Sequence, residues 1–266
     1  MDSRALRAPA PLPGWTYPVA SIAVAVLAWD LAVRLFDIRP FILPPPLAVA
    51  DVIIQDYPLL LHHGWVTLQE VLAGFALSVV VGVPLALGIV SWPLVERLVY
   101  PLLVGSQAVP KIAIAPLFII WLGFGLAPKI IMAFLIAVFP VVVNTIVGLA
   151  STEIEKLYLA QSMGASRWQT FFKIRLPNAL PGIFAGLKLA IILSVTGAVV
   201  GEFIGADRGL GRLIILANGN LDTARLFAAA AILTAMAIAL FGIMHAVERV
   251  VVRWHVSQRT AHVGGP

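Results

Sequence analysis

Residues 130–149 read IIMAFLIAVFPVVVNTIVGL, an apolar run of twenty residues without one charged side chain. A helix of about 20 residues rises about 30 Å, which is the thickness of a bilayer's hydrocarbon layer. No water reaches backbone N–H and C=O groups in that layer, so such a run must satisfy them internally, as a helix. Working outward, runs of similar length occupy Val19–Phe36, Leu68–Val90, Leu102–Leu122, Gly182–Phe203 and Leu226–Val247. The whole chain is 61% hydrophobic and only 12% charged, against about 25% charged residues in a soluble domain. The expected fold is an all-α polytopic membrane protein with about six transmembrane helices.

Several absences narrow the chemistry. The 266 residues include no cysteine, which excludes disulfides, thiol catalysis and cysteine metal sites. His62, His63, His245, His255 and His262 never fall at a metal-ligand spacing with partners, so no metal and no catalytic residue is expected. No G-x-x-x-x-G-K-[ST] occurs, so a phosphate-cradling loop is missing and any energy source lies in another chain or an ion gradient. The first eighteen residues hold Pro9, Pro11, Pro13 and Pro18 but no apolar core, so a cleavable signal peptide is not expected.

Stop signals separate the runs. Pro44-Pro45-Pro46 cannot continue a helix, Ser91-Trp92-Pro93 closes the second span, and Gly123-Phe124-Gly125 with Pro128 parts the third from the fourth. Orientation follows from the Lys/Arg bias of the loops. With the N-terminus inside, ten basic residues face the cytoplasm: Arg4, Arg7, Arg97, Lys156, Arg167, Lys173, Arg175, Arg249, Arg253 and Arg259. Six face outward: Arg34, Arg39, Lys129, Arg208, Arg212 and Arg225. Both termini are therefore expected in the cytoplasm. The same bias accounts for the net charge of +5, and with no basic cluster interleaved with aromatics, no nucleic-acid partner is expected.

The segment Ser151–Pro181, between the fourth and fifth spans, is too long for a turn and too patterned for a linker. Thr152 with Glu155 reads as a capping box opening a short helix that carries Ile154, Leu157 and Tyr158 and ends at Gly164. Ser166 with Gln169 reads as a second box, opening a helix whose Trp168, Phe171 and Phe172 share a face. Leu176-Pro177 is expected to end that helix. A cytoplasmic helix–glycine–helix thus presents an aromatic face beside the membrane, and such a face favours docking of a partner over packing against the chain's own helices.

At these residues the sequence resembles a known family. Gly164, nine residues, Ile174, one residue, Leu176, Pro177 is similar to the EAA loop of ABC importer permeases, in which Tyr158-Leu159-Ala160 take the place of E-A-A. Val109-Pro110-Lys111-Ile112-Ala113, Pro116-Leu117 and Trp121-Leu122-Gly123 resemble the nitrate/sulfonate/taurine-type branch. Leu43-Pro44-Pro45-Pro46, Phe139-Pro140, Asn144-Thr145, and Gly205 followed by Gly209-Leu210-Gly211 fit the same branch. The resemblance implies a type I importer permease of the bacterial inner membrane, working as a dimer with two cytoplasmic ATPase subunits and an extracytoplasmic solute-binding protein. It implies no cofactor in this chain, ATP and Mg being held by the ATPase. Its coupling loop would comprise Tyr158, Ala160, Met163, Gly164, Ala165, Trp168, Phe171, Ile174, Leu176 and Pro177. The organisation it suggests is a tail over 1–18, one transmembrane domain over 19–248 with its core at about 64–248 and the coupling loop at 151–181, and a tail over 249–266.

Charged residues inside a membrane are functional candidates by default. Asp30 and Arg34, spaced i, i+4, are expected to neutralise each other. Lys111, between Pro110 and Pro116, is read as pathway-lining in preference to packing at an inner gate. Glu202 is placed at the outer mouth or among headgroups, and Asn144 in a hydrogen bond between helices or along the pathway. Gly182/Gly186 and Gly201/Gly205 read as helix-packing sites. The solute suggested by the resemblance is a sulfonate-, taurine- or nitrate-like anion, which Lys111 and Lys188 would suit; related permeases are associated with pyrimidine precursors of thiamine. The competing function is an ion-coupled secondary transporter without an ATPase, but the paired halves it requires are not visible in the sequence. A membrane-embedded enzyme would need a convergent acid–base or metal cluster, and none is apparent.

Overall fold

A computed structural model describes residues 16–253, and the described chain is helical throughout. The expected tails lie largely outside these residues. In order, the helices are α1 (Thr16–Leu35), α2 (Pro46–Gln55), α3 (Tyr57–Ser91), α4 (Pro93–Ala108), α5 (Lys111–Leu122) and α6 (Leu126–Ala150). Then come α7 (Ile154–Ser162), α8 (Arg167–Thr170), a π-helical turn (Phe171–Arg175), α9 (Leu176–Gly205), α10 (Leu210–Gly219) and α11 (Thr223–Val251). Four described helical runs are long and apolar enough to cross a membrane: α3, α6, Arg167–Gly205 and α11. Counting α4 with α5 as one broken span makes five, and α1 covers the first expected run.

Two expectations about helix ends need correction. The third span is not one helix over Leu102–Leu122: α4 and α5 meet at 101°. Val109 and Pro110 are both extended there (ψ 123° and 95°), Val109 because a residue before proline is pushed out of the helical region. Conversely, Leu176-Pro177 does not end a helix. Residues Arg167–Gly205 form one helical run of 39 residues. The Leu176 N–H reaches back five residues to the Phe171 carbonyl, so the π turn absorbs the misfit and Pro177 starts a new stretch of α-helix, where its missing N–H costs little. Other stop signals act as expected, α3 ending at Ser91 and α2 beginning at Pro46.

The core is built on α6, which lies against both α3 and α9. Close backbone approach is the means. A Cβ on Gly182 would sit 2.9 Å from the Gly148 Cα, and one on Gly197 would sit 2.5 Å from the Ala133 Cα. Gly186 fits against Asn144 and Gly201 against Lys129, while Gly205 faces Ile119 of α5. Glycine pairs in spans bring helices close enough for dispersion contacts that lipid could not otherwise be outcompeted for.

Candidate functional site

The first candidate is the segment between α6 and α9. α7 ends in a Schellman arrangement: Gly164 takes φ +77°, its N–H bonds the Gln161 carbonyl (2.9 Å), and the Ala165 N–H bonds the Ala160 carbonyl (3.0 Å). Positive φ is where a glycine is least strained. Two residues on, the Ser166 box forms: the Gln169 N–H donates to Ser166 Oγ (3.3 Å) and the Ser166 N–H to Gln169 Oε1 (2.9 Å). The first box does not form. α7 starts after Glu153 with no side-chain cap, because Thr152 Oγ1 and Ser151 Oγ accept from Asn178 Nδ2 (3.4 and 3.2 Å), tying the loop's entrance to α9 instead.

Local chemistry thus makes a tight helix–glycine–helix tip, and its surface is apolar. Met163 is 78% and Trp168 73% exposed, and Tyr158, Leu159 and Phe172 are exposed as well. Trp168 stacks on Phe172 with ring centroids 5.8 Å apart and planes at 13°. The three aromatics do not all share a face: the π turn rotates Phe171 inward onto the span ends. Ala160 is buried, Ala165, Ile174, Leu176 and Pro177 are half-buried, and Gly164 stands open with nothing within 4 Å of where a Cβ would be.

The polar residues inside the spans take partners on their own or a neighbouring helix. Lys111 is the first residue of α5, at the break, and donates to Gln107 Oε1 (2.6 Å). Asn144 Nδ2 donates to Pro140 O of its own helix (2.9 Å), so it makes no bond between helices. Lys188 is paired with Glu248 of α11 (2.7 Å), with His245 Nδ1 3.3 Å from the same carboxylate. Asp30 and Arg34 form the expected pair at 2.8 Å.

Glu202 lies neither at an open mouth nor among headgroups: it is 0% exposed. Its Oε1 accepts from Thr67 Oγ1 (2.6 Å) and its Oε2 from the Gly211 N–H. The Leu210 N–H donates to Thr67 Oγ1 (2.9 Å) and the Gly209 N–H to His63 Nδ1 (3.0 Å). The free N–H groups at the start of α10 are therefore capped by α3 and α9. This explains Gly209-Leu210-Gly211, since a side chain at Gly209 or Gly211 would run into the Glu202 carboxylate. Beside it lies a buried ion pair that the sequence reading missed, Lys129 Nζ to Glu70 Oε1 at 2.9 Å. The available signal was Glu70 itself, an acid within the second apolar run. A cleft of about 430 Å³ opens next to the cluster, lined in part by Gln69, Lys129, Asp207 and Arg208.

Comparison with known proteins reaches most of the chain. Residues 78–253 match the family described as "Binding-protein-dependent transport system inner membrane component". The formylaminopyrimidine transport permease protein ThiX of Halalkalibacterium halodurans is 35% identical over 91% of this chain and 96% of its own length. The riboflavin transport system permease protein RibX of Chloroflexus aurantiacus is 37% identical over 92% of each. Among solved structures, an inward-facing form of the MetNI methionine ABC transporter superposes with a TM-score of 0.65 at 21% identity. That match covers 74% of this chain and 98% of the other. It bears on the fold alone.

Proposed function

The chain belongs to the family of binding-protein-dependent transport system inner membrane components, and from that premise we propose that its 151–181 segment is the docking site of the ATPase and that two copies enclose the solute pathway. Membership makes it a multi-pass, non-catalytic permease subunit of an ABC importer. Its partners are an ATPase and a binding protein, and ATP is bound by the ATPase. Transport is then driven by the partner's nucleotide cycle, with both termini of this chain on the ATPase side.

The observation that carries the docking reading is the tip itself. A segment closed by a Schellman turn and a capping box, too short to bury a core, still exposes Tyr158, Met163, Trp168 and Phe172. Exposed apolar patches of this kind mark interaction surfaces. Gly164→Trp tests it: space is open around that position, and a left-handed non-glycine residue costs only about 1–2 kcal/mol, so the chain should insert and fold. ATPase co-purification and transport should both drop. A G164W chain that keeps its ATPase and transports at the native rate sinks the assignment; a native chain that moves solute with no ATPase bound restores the secondary transporter.

For the solute, we infer a small nitrogen heterocycle. The relatives ThiX and RibX are named for formylaminopyrimidine and riboflavin transport. Of the two lysines that suited an anion, Lys188 is neutralised by Glu248 and Lys111 is held by Gln107. The cleft beside Lys129 carries both signs, Asp207 with Arg208, which suits a neutral polar solute. The sulfonate-like anion is the second reading, favoured by Lys111 at the α4–α5 break. Titrating the cognate binding protein with an aminopyrimidine, riboflavin and taurine separates the two.

A further inference from the structure

Between the exposed aromatic pair and the span lies a single π turn, and one ring on it faces inward. Phe171 packs against the buried cluster that Leu149, at the end of α6, makes with Ala179 and Ile183 of α9, and Leu87 and Val90 of α3 pack against the same cluster. The ends of three spans thus share one cluster with this ring. On its other side Phe171 meets Phe172 edge-on, centroids 5.0 Å apart, and Phe172 stacks on Trp168. Of these three rings only Phe171 is packed into the span-end cluster.

The backbone route from the tip to the span is one helical run, Arg167–Gly205, and it passes through the π turn. α8 is a single short turn of that run. π turns are among the places where a helix kinks, whereas a close-packed interior transmits displacement with little compression. A push on the tip therefore bends the π turn, and what it delivers to the spans depends on the ring that bridges them. We propose that Phe171 is a positioning residue: seated in the π turn, it converts displacement of the docking helix into displacement of α6 and α9. This rests on the docking reading above. Phe172, exposed one residue further on, contributes to docking alone.

The test uses the full transporter, with its ATPase and binding protein, reconstituted in liposomes. Bound ATPase, ATP hydrolysis, solute moved per ATP and the melting temperature in detergent are read for Phe171→Ala, Phe171→Leu and Phe172→Ala. F171A should keep its ATPase and hydrolyse ATP but move about tenfold less solute per ATP, a size typical of coupling between sites. F171L, which keeps an apolar side chain at the contact, should recover most of that ratio. F172A should instead bind less ATPase while the assembled fraction keeps the native ratio. A native ratio in F171A overturns the proposal, as does loss of ATPase by F171A equal to that of F172A. Where the melting temperature shows F171A unfolded, Ile183→Ala shortens the receiving side of the same contact, and a native ratio there overturns it too. A native chain that binds no ATPase sinks the docking reading and the proposal together, whereas a native F171A ratio with ATPase bound sinks only the proposal.

Discussion

Two helix starts in this molecule, those of α8 and α10, solve the same problem in opposite ways. Both expose N–H groups that a helix cannot satisfy from within. α8 caps itself with Ser166 and Gln169, three residues apart and exposed to solvent. α10 has a glycine at its N-cap and borrows Thr67, His63 and Glu202 from α3 and α9. The self-capped start leaves its side of the tip exposed, because its first N–H groups are satisfied within one turn. The borrowed cap does the reverse, riveting the short helix α10 to the bundle through groups that are nearly all buried.

That contrast can be broken most severely at the ion pair behind the borrowed cap. Lys129→Met leaves Glu70 buried without its cation, and breaking a buried pair in this way costs about 3–5 kcal/mol. Unfolding of K129M in detergent should show a loss of that size, and near-native stability would mean that water reaches the cluster. Thr67→Val comes next. It removes the donor to Glu202 and the acceptor of the Leu210 N–H, so about 1–3 kcal/mol should be lost with the buried groups left unpaired. Hydrogen exchange should localise the damage to the first turn of α10. Smallest is Ser166→Ala, which removes only the local cap. Its expected cost is about 1 kcal/mol, confined to α8 in exchange measurements and absent from the melting of the span bundle. If S166A instead loosened α6 or α9, the independence of the two ends would be refuted.

The same contrast separates what could be read in the sequence from what could not. The Ser166 box and the Gly164 stop were legible because their hydrogen bonds join residues within one turn. The Thr152 box had an equally good local pattern and failed, since Asn178, twenty-six residues away, took the Thr152 hydroxyl. Leu176-Pro177 failed as a stop because a π turn, which leaves no mark on apolar periodicity, removed the clash. Lys188 looked like a free cation until α11 brought Glu248 to it.

The sequence by itself determined the helical, membrane-spanning class, the position of most spans and the helix–glycine–helix tip over 151–181. Each rests on run length, on local hydrogen bonds, or on proline and glycine chemistry that acts within a few residues. Tertiary structure alone decided which distant charges are neutralised, why Gly209 and Gly211 must be small beside Glu202, and the inward turn of Phe171. Those outcomes depend on side chains far apart in the chain meeting in a medium where an unpaired polar group is costly, and no local pattern records which of them will meet.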